Sequence, residues 1–286
     1  MEQPDSPGAG EADETRLASE EQLRHPEQVA TAQTRDGVLH VPVIDISPFL
    51  DPRAADAARH EVAEAVDQAA RTVGFLQVVG HGIPPATLDA FTAATEAFFA
   101  MDLSTKNGYR CPPGINRGYS PPRSESLANS LGLVSAADLF EALNIGTDAA
   151  TFPGLDLPAD SYAPTVFPAE VAGFEAAVTT WFEAAGGIAR TMTRIFGRAL
   201  GLGEGYFASF TDHSIDVLRM INYRLPEAGV ELEPDQIGMG AHTDYGIVTV
   251  LWADQVPGLE ILGADGSWHP VQPADGALLV NLGDAL

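Results

Sequence analysis

His242-Thr243-Asp244 is the segment of this sequence best equipped for chemistry. In extended backbone, residues two apart project to the same side with Cα atoms roughly 6.5–7 Å apart. An imidazole and a carboxylate so spaced can both reach one metal ion through bonds of about 2.1 Å. One histidine and one carboxylate are two-thirds of a 2-His-1-carboxylate facial triad, the donor set of non-haem iron(II) sites. Three protein ligands on one octahedral face leave positions open for a bidentate co-substrate and dioxygen together. The third donor should be a histidine on a later strand. The chain has seven histidines, and His269 is the one that follows. It falls three residues after an Asp265-Gly266 turn signal, a poor position from which to complete a tight octahedral face. His25 belongs to the N-terminal tail, His40 and His60 read as surface or helix residues, and His213 could cap the helix before it.

The elements that must position the motif can be read from the pattern around it. Residues 216–223 (DVLRMINY) form a strand, 238–245 (GMGAHTDY) turn into the motif, and 247–252 (IVTVLW) form a largely apolar strand. Strands at 258–262, 268–272 and 277–282 follow, the first two joined by the Asp265-Gly266 hairpin signal. Short strands at nearly regular spacing predict an antiparallel sandwich or jelly roll closed around a small ligand cavity. Ile247, Val248, Val250, Leu251, Leu278 and Val280 should line or back that cavity, most of them as core packing.

Helices precede this β-region. Val62, Ala65, Val66, Ala69, Ala70 and Val73 recur at helical spacing and Gly74 ends the run. A strand from Phe75 to Val79 comes next. Pro84-Pro85 then opens a helix with Leu88, Phe91, Ala94, Phe98 and Phe99 on one stripe. Residues 102–122 are rich in loop formers, and apolar residues from Val171 to Leu200 mark a long core helix. The Gly201-Leu-Gly-Glu-Gly205 run follows a helix instead of a strand, so it reads as a C-terminal cap and not as a phosphate loop. The fold class is α+β. Residues 1–38 form an acidic, disordered tail, 39–205 a region of helices and strands, and 206–286 the jelly-roll core.

Formal net charge is −25, which repels nucleic acid phosphates and anionic membrane surfaces over a Debye length of about 8 Å. No apolar run approaches the roughly 18 residues of a membrane span, so the expected setting is cytoplasmic. A chain of 286 residues buries about 75% of its unfolded surface, and its single cysteine, Cys111, has no partner within the chain for a disulfide.

Seven segments in order carry a family resemblance: Val41-Pro-Val-Ile-Asp45, Gly74-Phe-Leu-Gln-Val-Val-Gly-His-Gly-Ile-Pro84, Arg117-Gly-Tyr119, Asn222-Tyr223, Ala241-His-Thr-Asp-Tyr-Gly246, Gly258-Leu-Glu260 and Val280-Asn-Leu-Gly-Asp284. From about position 40 to its end the chain resembles the isopenicillin N synthase-like branch of the iron(II), 2-oxoglutarate-dependent oxygenases. The resemblance implies a double-stranded β-helix with flanking N-terminal helices, and iron(II), 2-oxoglutarate and dioxygen as cofactor and co-substrates. It also implies oxidation of a small molecule through a ferryl species, ending in hydroxylation, desaturation or cyclisation. His242 and Asp244 then become metal ligands, and Asn222 and Tyr223 approach the co-substrate, although many members carry a second tyrosine where this chain has Arg224. The 102–122 region approaches the substrate pocket, and His81 and Asp284 are turn residues. Arg219, three residues before Asn222, falls on the opposite face of the strand, where either a structural ion pair or a pocket role is open to it.

In the family, the distal histidine and a co-substrate-binding Arg-x-Ser lie beyond the position of Leu286. The expectation is therefore a fragment or truncated version of an oxygenase with its last strands missing. The alternative is a non-catalytic small-molecule or partner-binding protein on the same fold. Primary substrate and oligomeric state are not legible in the sequence.

Overall fold

The computed structural model of the chain describes residues 34–35, 38–110, 112–132, 135–223, 232–233 and 236–286. His25, Cys111, Arg224 and most of the 1–38 segment lie outside the described residues. Five helices are described: α1 (Ser47–Leu50), α2 (Asp56–Thr72), α3 (Pro85–Phe99), α4 (Leu103–Asn107) and α5 (Phe174–Ala199). The longest, α5, buries Phe174, Val178, Trp181, Ile188, Met192, Ile195 and Phe196, a stripe at three- and four-residue spacing, and packs against α2 and α3. Phe91 of α3 stacks on Trp181 with ring centroids 5.0 Å apart. Past its end, the Gly201 N–H donates to the Arg198 carbonyl and the Leu202 N–H to that of Gly197. The glycine-rich run thus closes a helix, as the sequence predicts.

The strands are β1 (Thr34–Arg35), β2 (Val38–Leu39), β3 (Val43–Asp45), β4 (Phe75–Val79), β5 (Gly118–Ser120), β6 (Phe140–Gly146), β7 (Val217–Tyr223), β8 (Val248–Leu251), β9 (Glu260–Leu262), β10 (Trp268–Pro270) and β11 (Leu278–Leu282). They form a four-stranded sheet in the order β3-β4-β11-β8, a three-stranded sheet β5-β6-β7 and the hairpins β9-β10 and β1-β2. All pairings are antiparallel except β3 with β4. One face of each larger sheet meets the helices in a common core: Leu76, Val78, Leu278 and Val280 from the first, and Tyr119, Leu143, Ile145 and Met220 from the second. A smaller cluster on the other side of the four-stranded sheet holds Leu39, Val41, Ile261, Val271 and Leu279.

Register decides what the apolar residues of β8 and β11 do. Val250 opposes Val280 and Val248 opposes Leu282, and these pairs face the helical core. Leu251 opposes Leu279 and faces the smaller cluster. Val248, Val250, Leu278 and Val280 therefore build the core, the role expected for most of them. Other expectations change. Strand β6 and the short helix α4 arise where the sequence suggested no element, and residues 206–210 form a 3-10 turn between α5 and β7. His213 consequently does not cap α5; it bonds the Asp212 carboxylate at 2.6 Å. Among the described residues no helix is long and apolar enough to cross a membrane.

Candidate metal and co-substrate site

His242 and Asp244 lie in the non-strand segment that leads into β8, not on an extended strand as their spacing suggests. Convergence comes instead from hydrogen bonds that fix each side chain. His242 Nδ1 is 3.0 Å from the Gly240 carbonyl. Since a carbonyl only accepts, Nδ1 carries the proton and the Nε2 lone pair is left for another partner. On Asp244, Oδ2 accepts from the Thr249 hydroxyl at 2.5 Å and from the Asn281 amide at 2.8 Å. Thr249 and Asn281 are cross-strand partners in β8 and β11, so the sheet register delivers both donors to one oxygen. The other oxygen, Oδ1, lies 3.8 Å from His242 Nε2. That separation is less than two bonds of about 2.1 Å, so a neutral imidazole and a carboxylate oxygen can share one ion, and both types suit ferrous iron. Both side chains are about one-third exposed, so small molecules can reach the space between them.

A turn at the end of β11 holds the motif's backbone. The Asp284 N–H donates to the Asp244 carbonyl at 2.7 Å, and the Thr243 hydroxyl donates to the Asp284 carboxylate at 2.8 Å. A Cβ on Gly283 would sit 2.1 Å from the Gly246 carbonyl oxygen, so only glycine allows this approach. His81 and His269 are occupied elsewhere. His81 bonds the Gly276 carbonyl at 2.9 Å, and His269, buried in the β9-β10 hairpin, bonds Asp265 at 3.1 Å. Among the described residues no group of three His, Cys, Asp or Glu side chains could hold a metal.

The strand alternation of β7 separates Asn222 from Tyr223. Asn222 faces the core side, where its amide donates to buried Glu141 at 2.9 Å. Glu141 also accepts from Lys106 at 2.7 Å and Tyr119 at 2.5 Å, and Lys106 donates in addition to the Phe99 carbonyl. Burial pushes the Glu141 carboxyl up, but the hydrogen bonds from Lys106, Tyr119 and Asn222 and the charge of Lys106 outweigh it and hold the group below its ordinary range. Tyr223 faces the other way, against the Phe140 ring and with its hydroxyl 3.6 Å from Met239 Sδ. The two residues cannot meet a ligand from one face. Arg219, on the Tyr223 face, pairs with Glu125 at 2.6 Å and lies over the Phe140 ring.

Residues 41–170 match the model of the non-haem dioxygenase N-terminal region described for morphine synthesis, and residues 215–286 match that of the 2OG-Fe(II) oxygenase superfamily. A 2-oxoglutarate-Fe(II) type oxidoreductase of Metarhizium rileyi is 30% identical over 306 residues, covering 98% of this chain and 78% of its own. One from Emericella nidulans is 32% identical over 251 residues, covering 86% and 70%. The chain belongs to the 2-oxoglutarate/iron(II)-dependent oxygenases. A full-length Neurospora crassa protein crystallised with alpha-KG has the same fold, with a TM-score of 0.71 at 27% identity over 89% of this chain and 74% of that one.

This oxygenase is a dioxygenase of the jelly-roll class that uses iron(II), 2-oxoglutarate and dioxygen to oxidise a small molecule, and the relatives support that reading over a non-catalytic one. Thr249 carries no sequence signal of its own and Asn281 only its place in the Val280–Asp284 segment, because it is strand register that brings both to Asp244; Glu141 and Lys106, brought by burial to Asn222, carry none. Asn281→Ala leaves Asp244 Oδ2 with one donor, so the carboxylate can rotate. Mn(II) affinity, followed by titration, should fall about 10-fold.

Proposed function

We propose that His242 and Asp244 are protein ligands of the iron and that Asn222 contacts 2-oxoglutarate. The observation that carries this reading is the convergence of His242 Nε2 and Asp244 Oδ1 while Nδ1 and Oδ2 are both tied to the protein. The bound iron, with 2-oxoglutarate and dioxygen, supplies the oxidising power of the reaction. The chain's own part is positional. Gly240 holds the imidazole in the tautomer that can ligate, and Thr249 and Asn281 turn the carboxylate so that one oxygen is free for the metal. Of the two β7 residues, Asn222 is the better anchor because Glu141 fixes its amide, which keeps one N–H to donate. Tyr223, more than half exposed and in contact with Met239, braces the segment that carries His242.

In this reading residues 206–286 carry the chemistry, 39–205 form the scaffold that places Glu141, Lys106 and Tyr119 behind β7, and 1–38 are an N-terminal extension. The net charge of −25 disfavours a nucleic-acid partner, and the setting proposed for the enzyme is cytoplasmic. Titration of 2-oxoglutarate into the Mn(II)-loaded protein tests the assignment. Asn222→Ala should weaken binding about 10-fold, the effect of losing a hydrogen bond to a charged group, and Tyr223→Phe less than about 2-fold. The reverse ranking would move the contact to Tyr223.

A further inference from the structure

The segment 237–242 is sewn onto the start of β6. The Leu139 N–H donates to the Gly238 carbonyl at 3.0 Å, and the Gln236 amide donates to the Ala137 carbonyl at 2.7 Å. At the centre lies Asp138, 2% exposed, whose carboxylate accepts from no Lys, Arg or His side chain among the described residues. Its Oδ1 accepts from the Gly240 N–H at 2.8 Å and its Oδ2 from the Leu127 N–H at 2.8 Å. Its own N–H donates to the Glu125 carbonyl, and its carbonyl accepts from the Arg123 N–H. Gly240 has no freedom to drift. A Cβ there would lie 3.0 Å from the backbone nitrogen and the Cβ of Ala128 and 3.4 Å from Asp138 Oδ1.

We propose that Asp138 is a positioning residue for His242: by clamping Gly240 it fixes the carbonyl that holds His242 Nδ1–H, and so keeps Nε2 aimed at the metal. The inference rests on His242 being an iron ligand. Keeping a buried carboxylate costs desolvation unless its oxygens are satisfied, and here two backbone N–H groups do so from opposite sides. One belongs to the segment bearing His242. The other opens the 3-10 turn Leu127–Leu131, so the same carboxylate ties the 123–132 loop to the metal-binding segment. Asp138 touches neither metal nor substrate and acts only through Gly240.

Two variants test this by different routes. Asp138→Ala removes the clamp, whereas Gly240→Ala keeps the carboxylate and crowds the segment against Ala128, which must give by a few tenths of an ångström, so the second reads the proposal if the first does not fold. Both should weaken Mn(II) binding by about 10-fold or more, the usual effect of losing an outer hydrogen bond to a metal ligand. In the metal-free protein, the His242 ring 15N shifts should report the Nδ1–H tautomer for the wild type and a mixture for both variants. Affinity within 2-fold of wild type and an unchanged tautomer in both variants, with His242→Ala binding weakly, would overturn the positioning role. If His242→Ala itself leaves Mn(II) affinity unchanged, the ligand assignment fails, and this inference fails with it.

Discussion

His242→Ala and Asp244→Ala should each lower succinate formation from 2-oxoglutarate by about 10³-fold or more while leaving the protein folded. The size follows from the role: a metal contributes several kcal/mol to the reaction it supports, and each 1.36 kcal/mol is a factor of ten in rate. The tolerance of the fold follows from the structure. Both side chains are about one-third exposed and lie in a segment outside the strands, where truncation removes little buried apolar surface. Loss of Asp244 leaves the Thr249 hydroxyl and the Asn281 amide without their acceptor, but both are only partly buried, so water can replace it at a cost of about 1 kcal/mol. His269→Ala serves as the contrast. It removes a buried ring and its bond to Asp265 and should cost stability without changing iron affinity. Succinate production retained in both the His242 and Asp244 variants would remove the metal assignment, and iron binding lost in His269→Ala would redirect it.

The parts of this oxygenase legible in the sequence were those governed by local rules. Helical periodicity located α2, α3 and α5. The Asp265-Gly266 pair located the β9-β10 hairpin, and the two-residue spacing of ligand-type side chains located the motif. What was not legible depended on partners far apart in the chain. Strand β6 was hidden because Glu141 and Asn144 interrupt its apolar run, and each is explained only by a distant neighbour. Lys106 lies 35 positions from Glu141, Asn281 lies 37 from Asp244, and Asp138 lies 102 from Gly240. The same alternation that correctly turned Arg219 away from Asn222 also separates Asn222 from Tyr223, although adjacency in the motif had grouped them. The extended backbone assumed for His242 and Asp244 gave way to a loop because the β11 turn, through Gly283 and Asp284, holds the motif's carbonyls before β8 begins.

The largest stability effect should come from that hidden strand. Lys106 and Glu141 are both fully buried, 2.7 Å apart, and join α4 to β6, while Tyr119 and Asn222 bring β5 and β7 to the same carboxylate. Removing one member of a buried ion pair strands the other charge, at a cost of about 3–5 kcal/mol, so Lys106→Met should lower Tm by about 10 °C. The aromatic rings around the ammonium, Phe99 and Tyr119 at 6.0 and 5.7 Å, add to what the methionine cannot replace. Glu141→Gln should cost less, since a neutral amide still accepts from Tyr119. The double variant should be more stable than the sum of the single losses predicts, because no charge is then left buried alone. The pH dependence has a fixed sign. The Glu141 carboxyl is held below its ordinary value, so its contribution is full above that ordinary value and is lost as pH falls through the depressed folded one. Wild type and Glu141→Gln should therefore differ most in Tm near neutral pH and converge in acid. Strictly additive losses in the double variant, or a Tm gap that does not narrow on acidification, would mean that Glu141 is not the charged centre of this network.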